Sequence, residues 1–318
     1  MTQFGIFIPD GPRMHIEGLN AFVDGLRRFR IPYQVSPLLS GYQPCDVMVT
    51  FGVAKKRTPR GRAILQLAQD HNVYNSGRRW QVGKHLVIER GFIHREKYFM
   101  VGWDGLNGRA RYFNDHSPHD RWDKLRVPVA PWRKTGKHIV LCGQVPWDAS
   151  VQHTDHVAWC RQTAIELGKY SDRPIRFRPH PLQPDAIDMT GIPVVTSTGS
   201  SLQEDMQDAW AVVTFNSNAS VEATIAGIPA FVGDEGAMGH AVLNRDLSKI
   251  ESPVKVAREN WFNSLAYTQW TLEEIAGGLP IEHLWIKRLN LLRWGEYKLA
   301  TLTPRWARVA CSPRVLSH

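Results

Sequence analysis

The chain has 318 residues, of which 43% are hydrophobic and 10% aromatic, values that exclude a largely disordered protein and allow two domains. No run of about 18 apolar residues is present, and the first residues lack the basic and apolar regions of a secretory signal, so we expect neither a spanning helix nor a signal peptide. The formal net charge of +9 is uneven, because residues 1–137 carry 23 Lys and Arg against 11 Asp and Glu.

The first 91 residues alternate between strand and helix patterns. The segment 15–30 has apolar residues at helical spacing, and a second helix is predicted from Thr58, where Pro59 suits the first turn. Short, mainly apolar segments predict strands at 4–9, 32–37, 45–52 and 85–91. This order of elements predicts a parallel α/β domain.

Residues 92–135 are less regular, with turn signals at Asp104-Gly105 and Asn107-Gly108. Alternating strands and helices resume at residue 138, and the sequence after residue 261, including 265–278, has a helical pattern. We therefore predict an α/β fold of two doubly wound, Rossmann-like domains that face a cleft, closed by C-terminal helices. The predicted bounds are 1–135 for the first domain, 136–280 for the second, and 281–318 for a helix returning toward the first domain plus an irregular tail.

Polar turn residues follow three strands of the predicted second domain. Ligands of open α/β sheets bind at the carboxyl ends of strands, and the start of the helix after the third turn favours anions. We therefore predict a site for a phosphorylated, nucleotide-like ligand, although the same residues also suit strand ends and helix caps. The predicted site residues are Gly143, Gln144, Arg178, His180, Pro181, Ser217, Asn218, Ser220 and Glu222.

The three turns resemble motifs of the bacterial capsule Kdo transferases and related GT-B glycosyltransferases, which include bacterial sialyltransferases and polyol-phosphate transferases with a His-Pro motif. The resemblance covers most of residues 85–235 and implies a GT-B fold that binds a UDP- or CMP-linked sugar. It implies that His180, Ser217, Ser220 and Glu222 hold the nucleotide. The matching segments are Gly143-Gln144-Val145 with Asp148-Ala149-Ser150, Arg178-Pro179-His180-Pro181, and Ser217-Asn218-Ala219-Ser220-Val221-Glu222-Ala223 followed by Gly227.

An inverting transferase needs a base that takes the proton of the acceptor hydroxyl. The related enzymes have an acidic-acidic-Gly-Phe motif at a strand end, and here that segment reads Glu89-Arg90-Gly91-Phe92, with an arginine in the second acidic position. We therefore predict Asp104 as the base, with Glu89 second and Asp10 third. Asp104 and Asp10 each precede a glycine, which also fits a simple turn.

Basic residues of the first domain are predicted to bind an anionic acceptor, since the entire positive excess lies there. Trp80, Trp103 and Trp122 occur among them and suit stacking on bases or sugars, or else belong to the core. The predicted acceptor-binding residues are Lys55, Lys56, Arg57, Arg60, Arg62, Arg78, Arg79, Arg109 and Arg111.

The sequence thus predicts a nucleotide-sugar-dependent glycosyltransferase, with a hydroxymethylated base of phage DNA as the leading acceptor. Reaching that base in a duplex requires its extrusion. Alternatives are an anionic lipid or capsule-type glycan as acceptor, polyol-phosphate transfer, and a non-catalytic nucleic-acid-binding protein that has kept a transferase fold, which Arg90 supports.

The absence of metal-binding motifs and the spacing of the cysteines lead to predictions about cofactors and cellular location. No Asp-x-Asp or clustered His and Asp motif appears, so we expect metal-independent catalysis with no cofactor beyond the donor. Four scattered cysteines suit reduced thiols in a cytoplasm, that of a bacterial host if a phage encodes the chain. The sequence does not specify an oligomeric state.

Overall fold

The computed structural model describes residues 2–55, 57–71, 84–240 and 242–286, which form two α/β units, each built on a mainly parallel sheet. The predicted fold class, two Rossmann-like domains that face a cleft, is confirmed. Nothing after residue 286 is described, so the predicted C-terminal helix lies almost entirely outside the described residues.

The first unit contains β1 (Phe4–Ile8), α1 (Arg13–Arg28), β2 (Tyr33–Pro37), β3 (Val47–Phe51), α2 (Pro59–Asp70), β4 (His85–Arg90), β5 (Tyr98–Trp103) and α3 (Asp120–Leu125). The second unit contains β6 (His138–Cys142), α4 (His156–Tyr170), β7 (Ile175–Arg178), β8 (Val195–Thr196), α5 (Leu202–Met206), β9 (Ala209–Thr214), α6 (Ala219–Ile225) and β10 (Ala230–Val232). A last stretch contains α7 (Glu259–Ala266), β11 (Gln269–Thr271), α8 (Leu272–Ala276) and α9 (Leu279–Ile281), which continues as a π-helical turn over Glu282–Ile286.

The first sheet has the strand order β11-β5-β4-β3-β1-β2, and the second has the order β10-β9-β6-β7-β8. Strands β1 to β4, like all pairs of the second sheet, run parallel. Every residue of β3 and of β6 is buried, as expected for parallel strands covered on both faces. The carboxyl ends of parallel strands collect at one edge of each sheet, and the polar turns lie at these edges.

Residues 92–135, expected to be irregular, instead contain β5 and α3. Strand β5 runs antiparallel to β4, with Val101 opposite Ile88. Gly102 interrupts the apolar pattern of this strand in the sequence. In the structure, the ring of Tyr112 packs against Gly102: a Cβ added to this glycine would lie only 2.6 Å from Tyr112 Cε1. The apolar packing that Gly102 lacks is therefore supplied by Tyr112, ten positions later.

Residues 265–278, predicted to be helical, are interrupted by a strand. Helix α7 ends at Ala266, and β11 pairs antiparallel with β5 before α8 begins. Thr271 starts α8 with a capping box, in which its hydroxyl accepts from the Glu274 N–H and the Glu274 carboxylate accepts from the Thr271 N–H. The chain thus rejoins the first sheet before residue 280, the predicted end of the second domain.

Gln269 fixes this returning strand to the end of β4. Its fully buried side chain accepts hydrogen bonds from the N–H groups of Phe92 at 2.7 Å and Ile93 at 3.0 Å, and donates to the Ile93 carbonyl at 3.2 Å. Arg121 holds the same strand from α3 and donates to the Gln269 carbonyl at 2.9 Å. The loop after Glu89 is therefore positioned by a residue almost 180 positions later in the chain.

We predict that Gln269→Ala lowers the free energy of unfolding by about 2–4 kcal/mol, because two buried N–H groups lose their acceptor and a cavity remains. Urea denaturation measures this change. Gln66→Ala, on the exposed face of α2, is the control and should change the free energy by less than about 0.5 kcal/mol. A loss of similar size in both variants would contradict the role given to Gln269.

Candidate functional site

The turns at the carboxyl edges of the two sheets enclose a cleft with two adjacent chambers. The first chamber has a volume of about 460 Å³. Its walls from the first unit include His15, Lys55, Arg60, Glu89, Arg90 and Arg95, and those from the second unit include Gln144, Asp148, His180, Asn216, Ser217 and Asn218. A candidate acid-base residue and the predicted nucleotide turns therefore face the same space.

Gln144 and Asn216 tie the first and third turns together. The Gln144 side chain donates to Asn216 Oδ1 at 2.9 Å and accepts from the Asn216 N–H at 3.0 Å. Asn216 in turn donates to the Ser150 carbonyl at 2.8 Å and to Asp234 at 2.7 Å. Asn216 is absent from the predicted site residues, although its position directly after a strand and before Ser217 was the available signal.

Four of the predicted nucleotide residues line the first chamber: Gln144, His180, Ser217 and Asn218. In His180, Nδ1 accepts from the Leu182 N–H at 3.2 Å, so in the neutral ring Nε2 carries the proton and is a donor for a ligand. Burial lowers the pKa of His180, with smaller opposing and reinforcing effects from nearby charges, which keeps the ring neutral near pH 7.

The other predicted nucleotide residues do not line this chamber. Arg178 forms an ion pair with the buried Asp205 and donates to the carbonyls of Gly199 and Ser201, so it holds its own domain together. Gly143 packs on Phe177. Ser220 is fully buried, and its hydroxyl donates a hydrogen bond to the Ser217 carbonyl. The remaining two are Pro181, which is exposed, and Glu222, which accepts from Asn218 and Gln203 at 3.2 Å.

The three candidate bases occupy different environments. Glu89 lines the first chamber, and its burial raises the pKa of the carboxyl even though Lys55 and Arg60 lie nearby. Asp104 is only 7% exposed and is bound by the guanidinium of Arg111, in a turn with a left-handed φ of 62°. Asp10 is exposed and lines neither chamber. Of the three candidates, Glu89 lines the first chamber and Asp104 the second.

The predicted acceptor-binding cations do not form one surface. Lys55 pairs with Asp148 at 2.8 Å, and Arg60 donates to His15 at 2.5 Å, both within the first chamber. Arg109 and Arg111 are held by Asp234 and Asp104. Arg57 and Arg62 are exposed, and the three others, Lys56, Arg78 and Arg79, lie outside the described residues. Arg95, which the sequence prediction omitted, lines the first chamber.

The tryptophans among these cations belong to the packing of the domain where they are described. Trp103 is 1% exposed, and Trp122 stacks on Phe262 with ring centroids 4.4 Å apart. Trp103 is therefore too buried to stack on a ligand, as the alternative of a core role predicted, and Phe262 covers one face of Trp122. Trp80 lies outside the described residues.

No family model and no curated protein matches the chain. Solved structures do match it, among them two KpsC enzymes of Thermosulfurimonas dismutans. The β-Kdo 2,7 transferase has 15% identity and a TM-score of 0.51, covering 87% of this chain and 98% of that one. The β-Kdo 2,4 transferase has 12% identity and a TM-score of 0.50, covering 84% and 90%. At these identities the likeness shows the fold, which is the GT-B architecture of glycosyltransferases.

Two further observations concern the described residues only. They contain no group of three or more His, Cys, Asp or Glu side chains arranged to hold a metal ion. In the same residues, no helix combines the length and apolar character needed to cross a membrane. Metal independence stays a prediction.

Proposed function

We propose that this protein is a glycosyltransferase that moves a sugar from a UDP- or CMP-linked donor to a hydroxyl group of an anionic acceptor. One observation carries the proposal. The first chamber combines a carboxylate of raised pKa, Glu89, with a neutral imidazole, His180, and the polar turn Ser217-Asn218 from the opposite sheet. The solved structures of like fold, named as Kdo transferases, support a sugar donor.

The donor phosphate is expected at the turns of the second domain. His180 Nε2 and the polar groups of Ser217 and Asn218 supply hydrogen-bond donors there. Arg60 and Arg95 add positive charge from the first domain. Such donors stabilise the negative charge that develops on the leaving phosphate oxygen as the glycosidic bond breaks.

Glu89 is the proposed base, in place of Asp104. It removes the proton of the acceptor hydroxyl while that oxygen forms a bond to the anomeric carbon and the bond from that carbon to the donor phosphate breaks. A raised pKa makes Glu89 a stronger base than an exposed glutamate. Asp104 is less suited, because its charge is already neutralised by Arg111.

We predict that His180→Ala weakens nucleotide binding by about 1–3 kcal/mol, the usual effect of losing a hydrogen bond to a charged group. Calorimetry with UMP, UDP and CMP measures the change. Glu166→Ala is the control, because Glu166 is exposed on α4 of the same domain and lines neither chamber. Unchanged affinity in His180→Ala would contradict the assignment of the donor site.

We predict that Glu89→Gln reduces turnover by roughly 10²–10⁴-fold while donor affinity is retained, and that Asp104→Asn has a smaller effect. The base acts only when ionised, so wild-type turnover should fall as the pH drops through the raised pKa of Glu89. This fall should begin at a higher pH than for an ordinary glutamate. Donor hydrolysis and transfer measured against pH test both points, and near-normal turnover of Glu89→Gln would exclude it as the base.

For the acceptor we propose hydroxymethylated DNA, on the support of the net charge of +12 in residues 1–137. Arg57 and Arg62 are exposed outside both chambers, so they can contact phosphates without altering the donor site. An anionic lipid or glycan uses the same charge and is the competing acceptor.

We predict that Arg57→Gln combined with Arg62→Gln weakens binding of hydroxymethylated duplex about equally for all sequences. The slope of log affinity against log salt concentration should fall by roughly 0.9 for each phosphate that the variant no longer neutralises. Fluorescence titrations with duplex, single strand and anionic vesicles at several salt concentrations measure this. Binding to vesicles alone would favour a lipid acceptor over DNA.

A further inference from the structure

The second chamber lies beside the first and is larger, with a volume of about 980 Å³. Six residues line both chambers: Val53, Leu106, Asn107, Ala149, Ser150 and Asn216. The two spaces are therefore adjacent, with these six residues between or beside them.

The charged side chains of the second chamber are paired with one another or with neighbours. Arg109 donates to both carboxylate oxygens of Asp234, at 2.6 and 2.7 Å, and lies 3.9 Å from Glu235. Asp104 is bound by Arg111. In the first chamber, by contrast, Lys55, Arg60, Arg90 and Arg95 outnumber the two carboxylates. Positive charge is thus concentrated in the first chamber.

The remaining walls of the second chamber combine apolar side chains with polar ones that carry no fixed charge, among them Gln69, Asn107 and Gln152. Val53, Ala54, Leu65 and Leu106 supply apolar surface from the first domain. His85 also lines it, and burial lowers the pKa of this imidazole to about 3, so the ring is uncharged near neutral pH. A free anion placed in such surroundings would lose its hydration without gaining an unpaired cation, which is unfavourable.

We infer that the second chamber binds an uncharged, hydroxyl-bearing ring of the acceptor, a nucleobase or a neutral sugar, while the charged parts of the acceptor stay outside it. The inference rests on the proposed function and specifies what the acceptor presents to the donor. Glu89 lines the first chamber together with Val53 and Asn216, which line both, so the hydroxyl of a ring in the second chamber has to project past these shared residues to meet it.

Saturation-transfer NMR tests the inference with three probes, each added after UMP or CMP has filled the first chamber. Uncharged 5-hydroxymethyl-2′-deoxycytidine represents the base, and methyl β-D-galactopyranoside represents a neutral sugar. Methyl β-D-galacturonoside matches the second probe except for a carboxylate on the ring. Binding of the base or of the neutral sugar identifies which source the chamber accepts.

Two variants fill the chamber from opposite walls, Leu65→Trp from α2 and His240→Trp from the second domain. Gln66→Trp adds the same bulk to the next residue of α2, which is exposed and outside the chamber. Each filling variant should weaken binding of the neutral probe by about tenfold or more, and the galacturonoside should bind wild type about tenfold more weakly than the galactopyranoside. Gln66→Trp should bind as wild type does.

Three results would overturn the inference: no neutral probe binds at about 10 mM, both filling variants bind like wild type, or the galactopyranoside binds and the galacturonoside binds equally well. Nucleotide affinity is measured by calorimetry in the same samples. It distinguishes failure of the inference about the second chamber from failure of the proposed function. A wild-type protein that binds no nucleotide contradicts the glycosyltransferase proposal, whereas altered probe binding with intact nucleotide affinity concerns the second chamber alone.

Discussion

A buried carboxylate and its cation join the two domains across the cleft. Asp234 belongs to the second domain and is 8% exposed, so its charge requires partners, and its cation, Arg109, comes from the first domain. Asn216 and the Gly236 N–H complete its hydrogen bonds, at 2.7 and 3.0 Å, and together these donors lower the pKa of Asp234 to about 2 against the effect of burial. This ion pair opposes separation of the domains, because opening the cleft would leave the Asp234 charge without its cation.

The same carboxylate organises the donor turns. Asn216 links Asp234 to Gln144, and so connects the third turn, the first turn and the opposite domain through one side chain. Two further contacts join the domains along the cleft. Asn218 donates to the Phe92 carbonyl at 3.1 Å, and Lys55 pairs with Asp148 at 2.8 Å. These contacts therefore hold Glu89 of the first domain opposite the polar turns of the second.

Local patterns in the sequence predicted much of the fold and part of the site. The alternation of strands and helices gave both domains, and a turn at Asp104-Gly105 was correctly expected, as the left-handed φ of Asp104 shows. The role of Asp104 could not be predicted, because it depends on Arg111, which reaches the carboxylate through an antiparallel bridge to Trp103. Strand β11 escaped prediction for a similar reason: its three residues pair with a strand some 170 positions earlier.

The charge of the first domain illustrates the limit of composition as a guide to ligands. Its excess of cations predicted a surface for a polyanion, yet Arg109 bridges the domains and Arg111 neutralises a buried carboxylate. Lys55 and Arg60 face the first chamber, where a nucleotide phosphate would meet them. Part of the positive excess is therefore paired with carboxylates of the protein itself, and a high net charge does not by itself require that the reacting part of the acceptor be anionic. A neutral ring in the second chamber, with phosphates or carboxylates outside, reconciles the charge of the domain with the paired charges of that chamber.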